Sequence, residues 1–408
     1  MNGTRLGIDA SAILPGHCAG IEAFTYGLTN GLAAIGAGPL TVTVPNGCVD
    51  AWTEQVPHPD VSWHESVMRL RADGPVGSRL RRWVPESVRS SRSGRLLVNS
   101  IRAAQPDTTR PPRDVTLFPF HGAPISTDPA VLVLHDLWAF RDRWRSAGYR
   151  AVVRANVARA AAVVVSWPYP YRQACELFPW AAPKMVLIPP PPFHPRPSGA
   201  VQRPERGMLL YPSSTAPHKN HSTLLEAMAW LPEHQLVCPG PLVPPESGRL
   251  LARTGRSDLR GRVSLPGFVS TAELTRLYAR ADTVVVPSRW EATSGAIFEA
   301  FSWGVPVACA DVPPLRAQVQ FAGGEVAFFD PDDPRAIARA VRKIGADRGR
   351  YVDASVRAGG RLAGRTWMDT ADDYAQVMHW VAGGRRGPIP RSRFAARLAD
   401  LSGGRSRR

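Results

Sequence analysis

The stretch "ADTVVVPSRWEATSGAIFEAFSWGVPVACA", Ala281 to Ala310, decides the fold class. Thr283–Val286 is a short β-favouring run with no polar alternation, so it reads as a strand buried on both faces. A helix is expected from near Ser294–Gly295 to Trp303, and Gly304 stops it because glycine accepts the left-handed conformation of a helix end. Val307–Ala310 is a second apolar strand. Strand, helix and strand in about thirty residues make a βαβ unit, which builds parallel sheets.

The same alternation extends in both directions. Toward the N-terminus, strands are expected at Leu6–Asp9, Thr41–Val44, Val115–Phe120, Val131–Leu134, Ala162–Val165 and Met185–Ile188. In the second half they are expected at Met208–Tyr211, Gln235–Cys238, Val263–Leu265 and Val326–Phe329, besides the two above. Between the two series lies "PPPPFHPRPSGA", Pro189–Ala200. Proline fixes φ and lacks an amide donor, so this stretch is neither helix nor central strand and reads as a stiff connection. The fold class is therefore α/β with two doubly wound, Rossmann-like domains. The expected division is 1–190, a linker at 191–206, 207–366, a last helix at 367–383 that crosses back to the first domain, and a basic, disordered tail at 384–408. Ser270 with Glu273 is a candidate capping box, and Asp333 before Pro334 a candidate N-cap.

The 408 residues carry a formal charge of +16, yet only three of the fifty basic residues are lysines: Lys184, Lys219 and Lys343. Nine arginines crowd Arg69–Arg102, and eight lie between Arg385 and Arg408. Such stretches attract phosphate groups, so a peripheral contact with an anionic membrane or acceptor stands as one reading beside a plain solvated face. No zinc finger or RNA-binding signature accompanies them, which argues against nucleic acid. Neither a signal pattern nor an apolar run of about 18 residues is present, so a cytoplasmic protein is expected. The five cysteines are odd in number and form no CxxC, which fits small buried side chains rather than disulfides or zinc.

Four stretches carry candidate chemistry. In "PSRWEATSGAIFEAF", Glu291 lies in the loop after a strand and Glu299 on the following helix. Eight residues apart on one helix they would be about 12 Å apart and about 80° around the axis, too far to chelate one metal. With Glu291 in the loop, the helix N-terminus lies between them, and its free amides suit a diphosphate through Ser294 and Gly295. The same spacing also fits an exposed helix glutamate and a solvated loop charge. In "YPSSTAPHKNHS", Lys219 precedes a helix starting near His221, with Ser213 and Ser214 as added donors. In "VLVLHDLW", His135 and Asp136 end a strand at the crevice position, where a histidine bonded to its neighbours fits as well as one facing a ligand. The loop Ser11–Gly20 follows the first strand, with Gly16 and Gly20 permitting close backbone approach. "DPD" at Asp330–Asp332 imitates a metal-binding DxD, but Asp333 beside it already caps a helix.

Taken in order, these residues resemble glycosyltransferase family 4, the retaining group with the GT-B fold. The motifs are the glycine loop, His135–Asp136, Val163–Ser166, Lys219–Asn220, "PGFV" at Pro266–Val269, and the E-x7-E pattern closed by Glu299–Ala300 and Gly304–Pro306. The resemblance implies two domains facing each other across a cleft, a nucleotide-sugar donor held mainly by the second domain, and no metal or other cofactor. It implies that Glu299 bonds the ribose, Glu291 the donor sugar, and Lys219 the diphosphate, while His135 faces the sugar from the first domain. The acceptor is open among lipid-linked saccharide, cell-wall glycan and secondary metabolite. Two departures stand out. Many members carry Gly-Arg where this chain has Ser213–Ser214, and a neighbouring arginine of some subfamilies is here His218. "ATS" at Ala292–Ser294 replaces Gly-Phe-Gly. The missing arginine also fits a catalytically inert homologue that binds a nucleotide-sugar or serves as the partner subunit of another transferase.

Overall fold

The computed structural model describes residues 3–16, 19–66, 111–122, 125, 129–137, 140 and 147–396. The basic stretch Arg69–Arg102 lies outside them. Two compact units emerge, Met1–Pro190 with Thr366–Ala396 (unit 1) and Pro191–Arg365 (unit 2).

Unit 1 holds a seven-stranded sheet: β1 Leu6–Asp9, β2 Leu40–Pro45, β3 Val61–Ser66, β4 Val115–Phe118, β5 Ala130–Leu134, β6 Ala162–Val165 and β7 Met185–Leu187. Their spatial order is β3-β2-β1-β4-β5-β6-β7, with every pair parallel. Strand β3 was not anticipated. "VSWHES" is an edge strand with one buried residue at its start, so it lacks the apolar run that marks its neighbours.

Helix Ala19–Ala34 follows β1 and packs against the last helix, Trp367–Ala382, which Thr366 and Asp369 open with a reciprocal capping box. Gly27 and Gly31 make room for that contact. A Cβ at Gly27 would stand 2.2 Å from the Trp367 indole, and one at Gly31 2.5 Å from the Trp367 carbonyl.

Unit 2 holds β8 Met208–Leu210, β9 Gln235–Pro239, β10 Val263–Gly267, β11 Thr283–Val286, β12 Val307–Ala310 and β13 Ala327–Phe329, in the order β10-β9-β8-β11-β12-β13, again all parallel. Strands β8, β11 and β12 are buried at every residue, which is why their sequences show no alternation. In each sheet the chain winds one way from the first strand and then returns to its other side. In unit 2 the reversal lies between β8 and β11, and ligands of such sheets bind beyond the strand ends at that point.

The proline-rich stretch 191–206 is tied into unit 2: Pro191 and Pro192 are buried, and the amides of Arg203 and Glu205 bond to the carbonyls of Ala279 and Arg280. One expected segment needs correction. The tail is ordered past 384. The Trp380 indole donates to the Gly387 carbonyl at 3.2 Å, and Ser392 and Phe394 are buried, so an aromatic anchor offsets the local glycine and arginine content. Residues 397–408 lie outside the described residues.

Cys238 and Cys309 are buried as expected, whereas Cys48 and Cys175 are half-buried, and Cys18 lies outside the described residues. Among the described residues no helix is long and apolar enough to cross a membrane.

Candidate active site

The site of unit 2 begins where β8 ends. A single 3-10 turn, Pro217–Lys219, leads to Asn220 in the left-handed conformation (φ 61°) and then to helix His221–Ala227. Asparagine tolerates that geometry better than most residues. Its amide donates to the carbonyls of Pro287 (2.9 Å) and Pro331 (2.7 Å), and its Oδ1 accepts from Thr223. One buried side chain thereby ties together the loops that follow β8, β11 and β13, and Lys219 sits on the tied part.

Lys219 Nζ donates to Glu291 Oε1 at 2.6 Å. The same oxygen accepts from Ser288 Oγ at 2.8 Å, and Tyr211 Oη lies 2.7 Å from that hydroxyl. Burial, reinforced by the Glu291 charge, pushes the Tyr211 phenol far up, so it remains a donor. Glu291 is only 5% exposed, which removes the solvated-loop alternative. A carboxylate this buried needs its charge and its lone pairs satisfied, and the lysine and serine do so. Lys219 retains more exposure than its partner.

Glu299 lies on helix Gly295–Trp303 and is also 5% exposed, so it is not an ordinary surface residue. Burial raises its pKa. The nearby His194 charge, a hydrogen bond from Tyr278 and the His194 backbone N–H work the other way. Tyr278 Oη donates to Oε2 at 2.6 Å, and its ring stacks nearly parallel on Trp303. Phe193 abuts Gly295. The proline-rich segment therefore supplies two neighbours of the helix start.

The other expected donor contacts divide. The Ser294 amide is spent on Gln318 Oε1 (2.7 Å), and the Ser294 carbonyl accepts from Gln318 Nε2 (2.6 Å), so Ser294 does not offer its amide to a ligand. Gly295 opens the helix proper. The Ser213 amide bonds to the Pro239 carbonyl and its side chain hydrogen-bonds to Tyr211, while Ser214 is half-buried. His218 is exposed at the rim; its carbonyl accepts from the Arg289 amide, and its ring lies edge-on to Trp290. Arg289 pairs with Asp332 at 2.6 Å. Asp330 accepts from the Asp332 amide, and Asp333 caps helix Pro334–Ala346. Each aspartate of the DxD-like run thus has a structural partner, and among the described residues no His/Cys/Asp/Glu group could hold a metal ion.

In unit 1, His135 stands at the end of β5 as expected, but its nitrogens are engaged. Nε2 lies 3.0 Å from the Pro119 carbonyl and Nδ1 3.1 Å from Ser166 Oγ. The carbonyl can only accept, so Nε2 carries the proton and Nδ1 accepts from the serine. Desolvation, then the neighbouring His121, pulls the pKa down to about 3. Both ring nitrogens are therefore engaged, which matches the reading of His135 as a histidine bonded to its neighbours. Gly16 has φ 77° and donates its amide to Glu22 at 2.9 and 3.0 Å. Gly20 is exposed in the first turn of its helix, with no atom within 4 Å of a built Cβ, so packing does not require glycine there.

Residues 199–359 match the family described as Glycosyl transferases group 1. The matched residues make up most of unit 2, which is therefore similar to that family. Over 253 residues (54% of this chain, 58% of the other) the chain is 30% identical to a D-inositol 3-phosphate glycosyltransferase of Kineococcus radiotolerans. Over 138 residues (33% of this chain, 35% of the other) it is 35% identical to the O-antigen chain mannosyltransferase B of Escherichia coli. It thus spans about a third to somewhat over half of the length of these relatives. Sucrose-phosphate synthase from Thermosynechococcus elongatus superposes with a TM-score of 0.66 at 19% identity, covering 94% of this chain and 100% of that one. Anabaena HepE in complex with UDP and glucose superposes with a TM-score of 0.66 at 16% identity, covering 92% and 100%. At those identities the likeness establishes the fold: two Rossmann-like domains of GT-B type.

Several partners in unit 2 left no local mark in the sequence. Tyr278 fell on the apolar stripe of helix Thr271–Arg280. Its signal was chemical, because a buried tyrosine needs a partner for its hydroxyl. Gln318 and His194 lie 24 and 105 residues from the groups they hold, and no spacing rule reaches that far.

Proposed function

We propose that the chain is a retaining, metal-independent glycosyltransferase that moves a sugar from a nucleotide-sugar donor to a hydroxyl acceptor. The observation that carries this reading is the placement of Lys219 and Glu291 on the two loops that flank the strand reversal of unit 2, joined at 2.6 Å. There the lysine neutralises the leaving diphosphate, together with the first free amides of helix Gly295–Trp303. Glu291 accepts hydrogen bonds from hydroxyls of the transferred sugar, and Glu299 accepts them from the ribose. The acceptor oxygen attacks the anomeric carbon on the face that the diphosphate leaves. The carbon–oxygen bond to phosphate breaks, and a phosphate oxygen takes the acceptor's proton. Stabilising charge on the departing diphosphate is the main catalytic contribution.

UDP-glucose is a first donor to try, because HepE is seen with UDP and glucose and also with UDP-glucose. The relatives' names point to saccharide or inositol-phosphate acceptors, and contact with an anionic membrane through the arginine-rich stretches fits a lipid-linked one. The purified protein is incubated with UDP-, GDP- and dTDP-sugars, with and without EDTA, and the released nucleoside diphosphate is measured. Release from one donor, unchanged by EDTA, supports the reading, and the anomeric configuration of the product tests retention. Donor binding without release in the presence of candidate acceptors favours an inert homologue. Neither binding nor release across the panel removes the assignment.

A further inference from the structure

The loop between Glu291 and Glu299 makes its sharpest demand at Ser294. This residue is extended (φ −112°, ψ 115°) and 5% exposed, and it stands where the chain turns into helix Gly295–Trp303. Its own hydroxyl makes no capping bond to the helix. Both of its backbone polar groups are instead held by one side chain of another βαβ unit. Gln318, on helix Pro313–Ala322, accepts from the Ser294 amide at 2.7 Å and donates to the Ser294 carbonyl at 2.6 Å. Gln318 is itself 4% exposed. The primary amide is the side-chain group that imitates a strand partner here, with one acceptor and one donor side by side.

We infer that Gln318 is a positioning residue for the donor site: it fixes where the helix N-terminus and the Glu291 loop stand relative to each other. This inference rests on the nucleotide-sugar reading of the site. Three consequences follow from the geometry. The Ser294 amide is withdrawn from ligand binding, so the free amides begin at Gly295. The loop carrying Glu291 has one end tied through Lys219 and Ser288 and the other through Gln318, which leaves it little freedom to shift. The glutamine also joins helix Pro313–Ala322, which follows β12, to the loop that follows β11. A diphosphate seated on helix amides depends steeply on their placement, so a residue that touches no ligand controls how tightly the ligand is held.

The test is a calorimetric titration of the full-length protein with UDP, GDP and dTDP, comparing wild type with Gln318→Met and Gln318→Glu. Methionine preserves the volume and removes both bonds. Glutamate keeps the acceptor for the Ser294 amide and sets a carboxylate against the Ser294 carbonyl. For the nucleotide that wild type binds, both variants are expected to bind roughly tenfold more weakly or worse with stoichiometry still near one, as the loss of such bonds allows. A variant that merely misfolds in part shows lowered stoichiometry at unchanged Kd, and that result overturns the positioning role. Wild-type Kd and stoichiometry in both variants overturn it as well. If wild type binds none of the three nucleotides, the underlying donor reading fails, and the inference falls with it for a separate reason.

Discussion

The rims of the two sheets solve the same problem in different ways. At the end of β5 in unit 1, His135 is neutral and bonded to a backbone carbonyl and a serine hydroxyl. Beyond β8 and β11 in unit 2, Lys219 and Glu291 are opposite charges bonded to each other. A neutral ring with both nitrogens filled offers a ligand little. A charge pair is exchangeable, because an incoming diphosphate can share the lysine and a sugar hydroxyl can replace it at the carboxylate. On the proposed function, two groups at equivalent strand ends differ in what they can offer a ligand because their present partners differ in charge.

The largest effect expected from this contrast is on Lys219. On the proposed role of Lys219 as the cation on the leaving diphosphate, Lys219→Ala should lower donor turnover by about a hundred- to a thousandfold. The measurement is nucleoside diphosphate release under saturating donor. Activity near wild type would mean that another cation does this work and would break the contrast.

In unit 1 the matching large effect is on stability. Gly31→Val sets a branched side chain against the Trp367 carbonyl, already 2.5 Å from a built Cβ. Overpacking of this kind costs about 1–3 kcal/mol. A thermal melt should show a clear loss, and an unchanged Tm would mean that the Trp367 helix is not seated as described.

Two pH effects sharpen the comparison. Burial raises the Glu299 pKa, so its carboxylate is lost at a higher pH than an ordinary glutamate's. Donor KM should therefore climb on the acid side above the usual carboxylate range, and Glu299→Gln should abolish that limb while weakening donor binding throughout. His135 has the opposite sign of consequence. Its folded pKa is held down to about 3 against an ordinary 6.5, so the unfolded chain binds the proton first. The stability this contributes is present above about 6.5 and is lost as pH falls toward 3. His135→Phe should flatten that part of the urea-midpoint profile, and an unchanged profile would contradict the desolvated, neutral ring.

The smallest effect concerns His218. Arginine is a permanent cation with planar donors for phosphate, so His218→Arg should keep or modestly raise donor turnover. Loss of activity in His218→Arg would count against a phosphate role for this position.

Much of unit 2 was legible in the sequence because its cues are local. Thr283–Val286, the Gly304 stop, the Ser270 cap and the Asp333–Pro334 start each lie within a few residues of what they determine. The closeness of Lys219 and Glu291 was not read from the sequence; it comes from the topology, which makes β8 and β11 neighbours. What stayed hidden was long-range or weakly patterned. Glu299 looked like a possible surface charge because nothing near it announces Tyr278 or His194. Ser294 looked like an amide donor because Gln318 is invisible from its position. Strand β3 escaped because an edge strand need not be apolar, and residues 384–396 looked disordered because one phenylalanine and one tryptophan contact outweigh their composition.

The scarcity of lysine makes the central claim directly measurable. A protein labelled with ¹³C,¹⁵N-lysine carries only Lys184, Lys219 and Lys343, so three side-chain signals can be assigned by mutation. Titrated with the nucleoside diphosphate that binds, the account predicts that the Lys219 signal shifts in saturable fashion while those of Lys184 and Lys343 stay in place. A nucleotide that binds and leaves the Lys219 signal unmoved would contradict the assignment of the Lys219–Glu291 pair to the donor site.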